Sequence, residues 1–159
     1  MNTLCLYVFW NIHEQEEGKF DFTGNNDVAE FIRLAQENGS MSSCAPALTY
    51  VPNGKWAVCL VVVEEERHPS ERTRPYFMER YRIFAQKLGE QIGDLTIEKG
   101  GPIIMVQVEN EYGSYGEDKP YVSAIRDIIR DSGFDKVTCS SVTGVPILPK
   151  TDWTIWYGP

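Results

Sequence analysis

The sequence predicts an α/β fold built on a parallel sheet, and three features carry that prediction. Two short runs, Thr3 to Trp10 and Ile103 to Val108, are almost wholly apolar, as expected of strands covered on both faces. Around them lie segments whose apolar residues recur at helical spacing, each closed by a glycine. Strand and helix therefore alternate, which is the pattern of βαβ units.

Taken in order, Thr3 to Trp10 is the first buried strand, followed by a polar turn from Asn11 to Phe22 that holds Glu14, Glu16, Glu17 and Gly18. Asn25, Asn26 and Asp27 offer caps for a helix whose Val28, Phe31, Ile32 and Ala35 share one face, with Gly39 as its closing glycine. A second helix from Pro75 aligns Phe77, Tyr81, Phe84, Leu88 and Ile92 and ends at Gly93. Gly100-Gly101-Pro102 leads into the second buried strand. The third helix opens at Pro120, where a missing N–H costs nothing, and turns Val122, Ile125, Ile128 and Ile129 inward before Ser132-Gly133. Val137-Thr138 opens a further strand. Two stretches break the order. Ser40 to Arg74 carries a small polar start and the charge run Glu64-Glu65-Glu66-Arg67-His68 without period, and Cys139 onward loses period in the same way.

Composition narrows the function classes. The 159 residues amount to one domain, and 42% hydrophobic with 12% aromatic residues can fill a core. A net charge of −8 disfavours non-specific binding to nucleic acid or anionic lipid. No apolar run approaches the roughly 18 residues of a membrane helix. The four cysteines, Cys5, Cys44, Cys59 and Cys139, have neither metal-site nor redox spacing.

The segment with chemical content is Val108-Glu109-Asn110-Glu111-Tyr112-Gly113, directly after the second buried strand. At the carboxyl end of a barrel strand, an Asn-Glu pair suits glycoside cleavage. The carboxyl protonates a leaving glycosidic oxygen, and the amide hydrogen-bonds a sugar hydroxyl. On residue type alone, a solvated loop is the commoner fate of such a segment.

Two longer motifs sharpen this. Asn2-Thr3-Leu4-Cys5-Leu6-Tyr7-Val8-Phe9-Trp10-Asn11-Ile12-His13-Glu14, with Glu17-Gly18-Lys19-Phe20-Asp21-Phe22, resembles the second-strand region of family 35 glycoside hydrolases, the β-galactosidases. Gly100 to Ile104 and Gln107 to Tyr115 resemble their fourth-strand signature. The resemblance covers roughly residues 1–39 and 75–138. It implies a (β/α)8 barrel that cleaves terminal β-galactosides with retention, using two carboxylates and no metal or cofactor. By motif, Glu111 is then the general acid/base, Asn110 its sugar-binding neighbour and Tyr7 a galactose contact. Glu109 supports the site, and Trp10, His13 and Glu14 shape the loop, in which Gln15 stands where many relatives have proline.

The family's Cys-Ala-Glu segment after its third strand has no counterpart in residues 40–74. Permitted codons for Pro52 to Cys59, read from their third base, give Glu-Trp-Glu-Met-Gly-Gly-Leu. Those for Val61 to Glu66, read with the last two bases of the preceding codon, give Trp-Trp-Leu-Leu-Lys-Lys, and those for Cys139 to Gly144, started one base earlier, give Leu-Phe-Gln-Cys-Asp-Trp. Residues 40–74 and 139–159 are therefore expected to be out of frame. The expectation is an incomplete family 35 catalytic domain over residues 1–159: a partial (β/α)8 TIM barrel covering roughly strands two to five, with strand three disrupted. The first barrel strand and the nucleophile are expected outside this sequence, and the fragment is expected to be inactive. The alternatives are a stand-alone glycosidase using Glu109 and Glu111, and a non-catalytic sugar-binding fragment using Tyr7, Trp10 and Asn110.

Overall fold

The structure, a computed structural model, describes residues 2–47, 75–109 and 118–140. Strand β1 (Thr3–Phe9) runs into a single helical turn, α1 (Trp10–His13), and an antiparallel hairpin of β2 (Glu14–Glu16) and β3 (Lys19–Phe20). Then follow α2 (Val28–Glu37), β4 (Met41–Ala47), α3 (Pro75–Ile92), β5 (Ile103–Val108), α4 (Lys119–Ile129) and β6 (Thr138–Ser140). The main sheet has the order β1-β4-β5-β6, and each neighbouring pair is parallel. Strands adjacent in sequence are thus adjacent in space, as in successive βαβ units.

Local chemistry sets the helix ends. The Asp27 carboxylate accepts from the Glu30 N–H at 2.8 Å at the start of α2. Asp118 does the same for the Tyr121 N–H at 3.0 Å in α4, where Pro120 occupies the first turn. Gly39, at φ 74°, releases the chain from α2 into β4.

The core lies between the sheet and its helices. Val8, Cys44, Val106 and Val108 meet Ile32, Phe84, Leu88, Ile125 and Ile129 in one buried cluster. Burial pushes the Cys44 thiol up to about 12, with a smaller push from neighbouring Cys5. Cys5 itself is exposed. Iodoacetamide at pH 8 is therefore expected to alkylate Cys5 and spare Cys44 until the chain unfolds, as peptide mass spectrometry would report. Equal labelling of both in the native state would contradict this packing.

Three expectations are corrected. The two apolar runs are not buried on both faces: along β1 Val8 is buried while Cys5 and Tyr7 are exposed, and in β5 Met105 is 38% exposed. Among the described residues the helices cover only one face of the sheet, so period-two alternation returns in β1. Trp10, read as the end of the first strand, is the first residue of α1. Third, Ser40 onward was expected to be irregular, yet Met41–Ala47 forms β4, paired with β1 from Thr3↔Met41 to Phe9↔Ala47 and with β5 from Ser42↔Ile103 to Cys44↔Val106. The strand is held by two flanking ladders rather than by its own propensity. Pro46 lies past the last β4–β5 pair, where its missing N–H breaks no bond to β5. The rest of the suspected out-of-frame stretch, 48–74, and residues 141–159 lie outside the described residues.

One glycine reports the packing of α3 on the end of α4. A Cβ at Gly89 would stand 1.8 Å from the Ser132 carbonyl oxygen. Gly89→Ala should therefore destabilise by about 1–3 kcal/mol through overpacking, reversing the roughly 1 kcal/mol gain that Ala brings to a helix interior. A urea midpoint that rises would refute that close approach.

Candidate active site at the carboxyl edge of the sheet

Because the strands are parallel, their carboxyl ends share one edge, and side chains there can converge on a ligand. Tyr7 lies near that end of β1, 51% exposed on the face the helices leave open. Its ring stacks on Phe9 at 6.1 Å between centroids. β5 ends at the same edge, and Glu109 is the first residue beyond it. Asn110 and Glu111, the sugar-binding and acid/base residues of the sequence reading, lie outside the described residues.

Glu109 has a backbone conformation that few non-glycine residues adopt, left-handed at φ 57°. Only 3% of it is exposed. The Tyr121 hydroxyl, from α4, donates to its carboxylate, and the Gln107 side-chain amide donates to its carbonyl at 2.6 Å. Tyr81 of α3 is fully buried nearby, its hydroxyl without a partner among the described residues. Burial holds that phenol well above its ordinary range, and the Glu109 charge pushes the same way.

The loop after β1 is built around Glu14. Its carboxylate accepts from the Trp10 indole N–H at 2.5 Å and from the Gly18 N–H at 2.6 Å, and it forms a buried ion pair with Arg80 of α3. A second Arg80 nitrogen stands 3.7 Å from the Glu17 carboxylate. Trp10, with no exposed surface, stacks on Phe84 at 5.3 Å. His13 donates through Nδ1 to the Asp21 carbonyl at 3.0 Å and stacks on Phe22 at 4.6 Å.

Asp21 accepts from the Thr23 hydroxyl, the Thr23 N–H and the Asn26 amide, which hold its carboxyl below the usual carboxylate range. Its contribution to loop order is present above the ordinary value of 3.8 and fades as pH falls through the lowered one. Trp10 and His13 thus spend their polar groups on the loop itself, and Glu14 divides its carboxylate between the loop and Arg80 of α3.

Two residues of this edge were not picked out from sequence. Arg80 had a readable signal, because it falls within the apolar stripe of Phe77, Tyr81 and Phe84. A cation there calls for a buried anion. Tyr121 had none, since a tyrosine in a first helical turn is ordinary. Among the described residues no group of His, Cys, Asp and Glu is arranged to hold a metal ion, and no helix is long and apolar enough to cross a membrane.

Comparison with known proteins agrees with this architecture. The profile of glycosyl hydrolases family 35 matches residues 1–153. The chain is 37% identical over 151 residues to a β-galactosidase of Xanthomonas manihotis, covering 93% of this chain and 25% of that protein. It is 34% identical to human β-galactosidase-1-like protein 2, covering 89% of this chain and 22% of that one. The chain therefore spans about a quarter of the length of the curated relatives it matches. Among solved structures, an exo-β-1,4-mannosidase of an Opitutaceae bacterium superposes with a TM-score of 0.64 at 13% identity, over 86% of this chain and 24% of that one. Endo-glycoceramidase II of a Rhodococcus species gives 0.64 at 12% identity, over 89% and 41%. These neighbours are glycosidases of the (β/α)8 type, and the likeness is one of fold, that of a partial TIM barrel.

Proposed function

Because the chain belongs to family 35 of the glycosyl hydrolases, we propose that it is the acid/base-bearing part of a retaining hydrolase of terminal β-galactosides. One observation carries the reading: β5 ends at the carboxyl edge of a parallel sheet, at the edge that bears exposed Tyr7, and the next residues in sequence are Glu109-Asn110-Glu111. Glu111 protonates the leaving glycosidic oxygen and then takes a proton from the attacking water. Asn110 hydrogen-bonds a hydroxyl beside the reacting carbon, and Tyr7 contacts the galactose ring. Carboxylates supply the proton transfers and the covalent step, so the chemistry calls for no metal or cofactor.

Glu109 supports the site rather than reacting. Its carboxylate is buried and engaged by Tyr121, which argues against the alternative of a small enzyme that pairs Glu109 with Glu111 across a sugar. The binding test is titration of the chain with a galactose-configured iminosugar, whose ammonium imitates the positive charge developing in the reaction. Weak saturable binding is expected, lost in Glu111→Gln and in Tyr7→Ala. Binding that survives both substitutions, or that favours the gluco-configured analogue, would overturn the assignment.

A further inference from the structure

Tyr121 is engaged where a structural tyrosine would not be expected to matter to chemistry. It sits in the first turn of α4, is almost fully buried, and donates its hydroxyl to the carboxylate of the residue that closes β5. That residue, Glu109, is held in a left-handed conformation at φ 57°. For a non-glycine residue this geometry is strained and persists only where the surroundings fix it. Among the described residues, contacts that do so include the Tyr121 hydroxyl on the carboxylate, the Gln107 amide on the carbonyl, and the burial of the side chain.

We infer that Tyr121 is a positioning residue: by anchoring the buried Glu109 carboxylate it fixes the left-handed exit of β5, and so sets the direction in which the chain leaves toward Asn110 and Glu111. The inference rests on the reading of Glu111 as acid/base, and it adds the device that aims that residue. The physical argument is one of leverage. Each φ or ψ change at Glu109 rotates everything that follows, and proton transfer tolerates little misplacement, since an ångström can cost on the order of 10²-fold. A carboxylate pinned by a charge-assisted hydrogen bond from a neighbouring helix removes that freedom. A glycine would reach the same backbone geometry more cheaply but would have no side chain to pin.

The test uses the 159-residue chain and two conservative variants, Tyr121→Phe and Glu109→Gln, observed by 15N NMR. Tyr121→Phe keeps the ring and removes the donor, while Glu109→Gln keeps an acceptor oxygen and removes the charge. The expected result for Tyr121→Phe is a shift or broadening confined to the Glu109, Asn110 and Glu111 signals. The Trp10 indole signal should stay close to that of the unaltered chain, while the melting midpoint falls because the buried Glu109 carboxylate loses its donor. Glu109→Gln should show the same effect in smaller measure, because Tyr121 can still donate to the amide oxygen.

Unchanged Asn110 and Glu111 signals in both variants would overturn the inference. So would changes that spread equally to the Trp10 indole, which would mark Tyr121 as a general core contact. The acid/base reading is judged separately, by whether the galactose-configured iminosugar moves the Glu111 signal in the unaltered chain.

Discussion

Purified as written, the 159-residue chain is expected to give no turnover of an aryl β-galactoside above the buffer rate. A retaining mechanism needs two carboxyl groups about 5–5.5 Å apart, one acting as acid/base and the other attacking the anomeric carbon. On the proposed reading Glu111 fills the first role, and no other glutamate of the sequence stands in the family's nucleophile motif. Glu109, the nearest carboxylate in sequence, is buried and bonded to Tyr121, which argues against its use as the nucleophile. Members of a catalytic set act as a unit, so loss of one costs several orders of magnitude rather than a fraction. An assay of the chain beside its Glu111→Gln variant decides the point. Turnover that disappears in the variant would mean that a working nucleophile lies within these residues.

The largest effect on stability is expected at Arg80. Its guanidinium is buried against the Glu14 carboxylate, which also receives the Trp10 indole and the Gly18 N–H. Arg80→Met leaves that carboxylate buried without its counter-ion, a change worth about 3–5 kcal/mol. For a chain of this length that corresponds to a fall of roughly 6–20 °C in Tm. The double variant Glu14→Leu with Arg80→Met removes both charges and should recover much of the loss, because the desolvation penalty goes with them. A single variant that costs under about 1 kcal/mol would show a solvent-screened pair of the surface kind.

Sequence legibility followed the source of each element's stability. α2, α3 and α4 were readable because their apolar faces, caps and closing glycines are all local; the capping carboxylate of Asp27 is one such signal. β4 was not readable, because Met41 to Ala47 is small and polar and owes its strand state to β1 and β5 on either side. The apolar content of β1 and β5 was read as burial on two faces, whereas apolar Tyr7 and Met105 stand on the uncovered one.

The site divides in the same way. The placement of Tyr7 and Glu109 at the carboxyl ends of β1 and β5 was legible through motif, and their order along the sheet edge follows from parallel pairing. The left-handed turn at Glu109 and its tie to Tyr121 were not, because both depend on how α4 packs against the end of β5. The Glu14–Arg80 pair joins residues remote in sequence, and only the misplaced cation in an apolar stripe hinted at it.

The central claim is that Glu111 serves as the acid/base of a β-galactosidase-type site. It is tested most directly by grafting residues 75–138 into the matching positions of the Xanthomonas manihotis β-galactosidase and measuring kcat with and without Glu111→Gln. The graft should hydrolyse an aryl β-galactoside, and the substitution should lower kcat by about 10²–10⁴-fold, the usual contribution of general acid–base catalysis. The loss should be smaller when the leaving group is acidic enough to depart unprotonated. A folded, active graft whose rate is indifferent to Glu111→Gln would contradict the account.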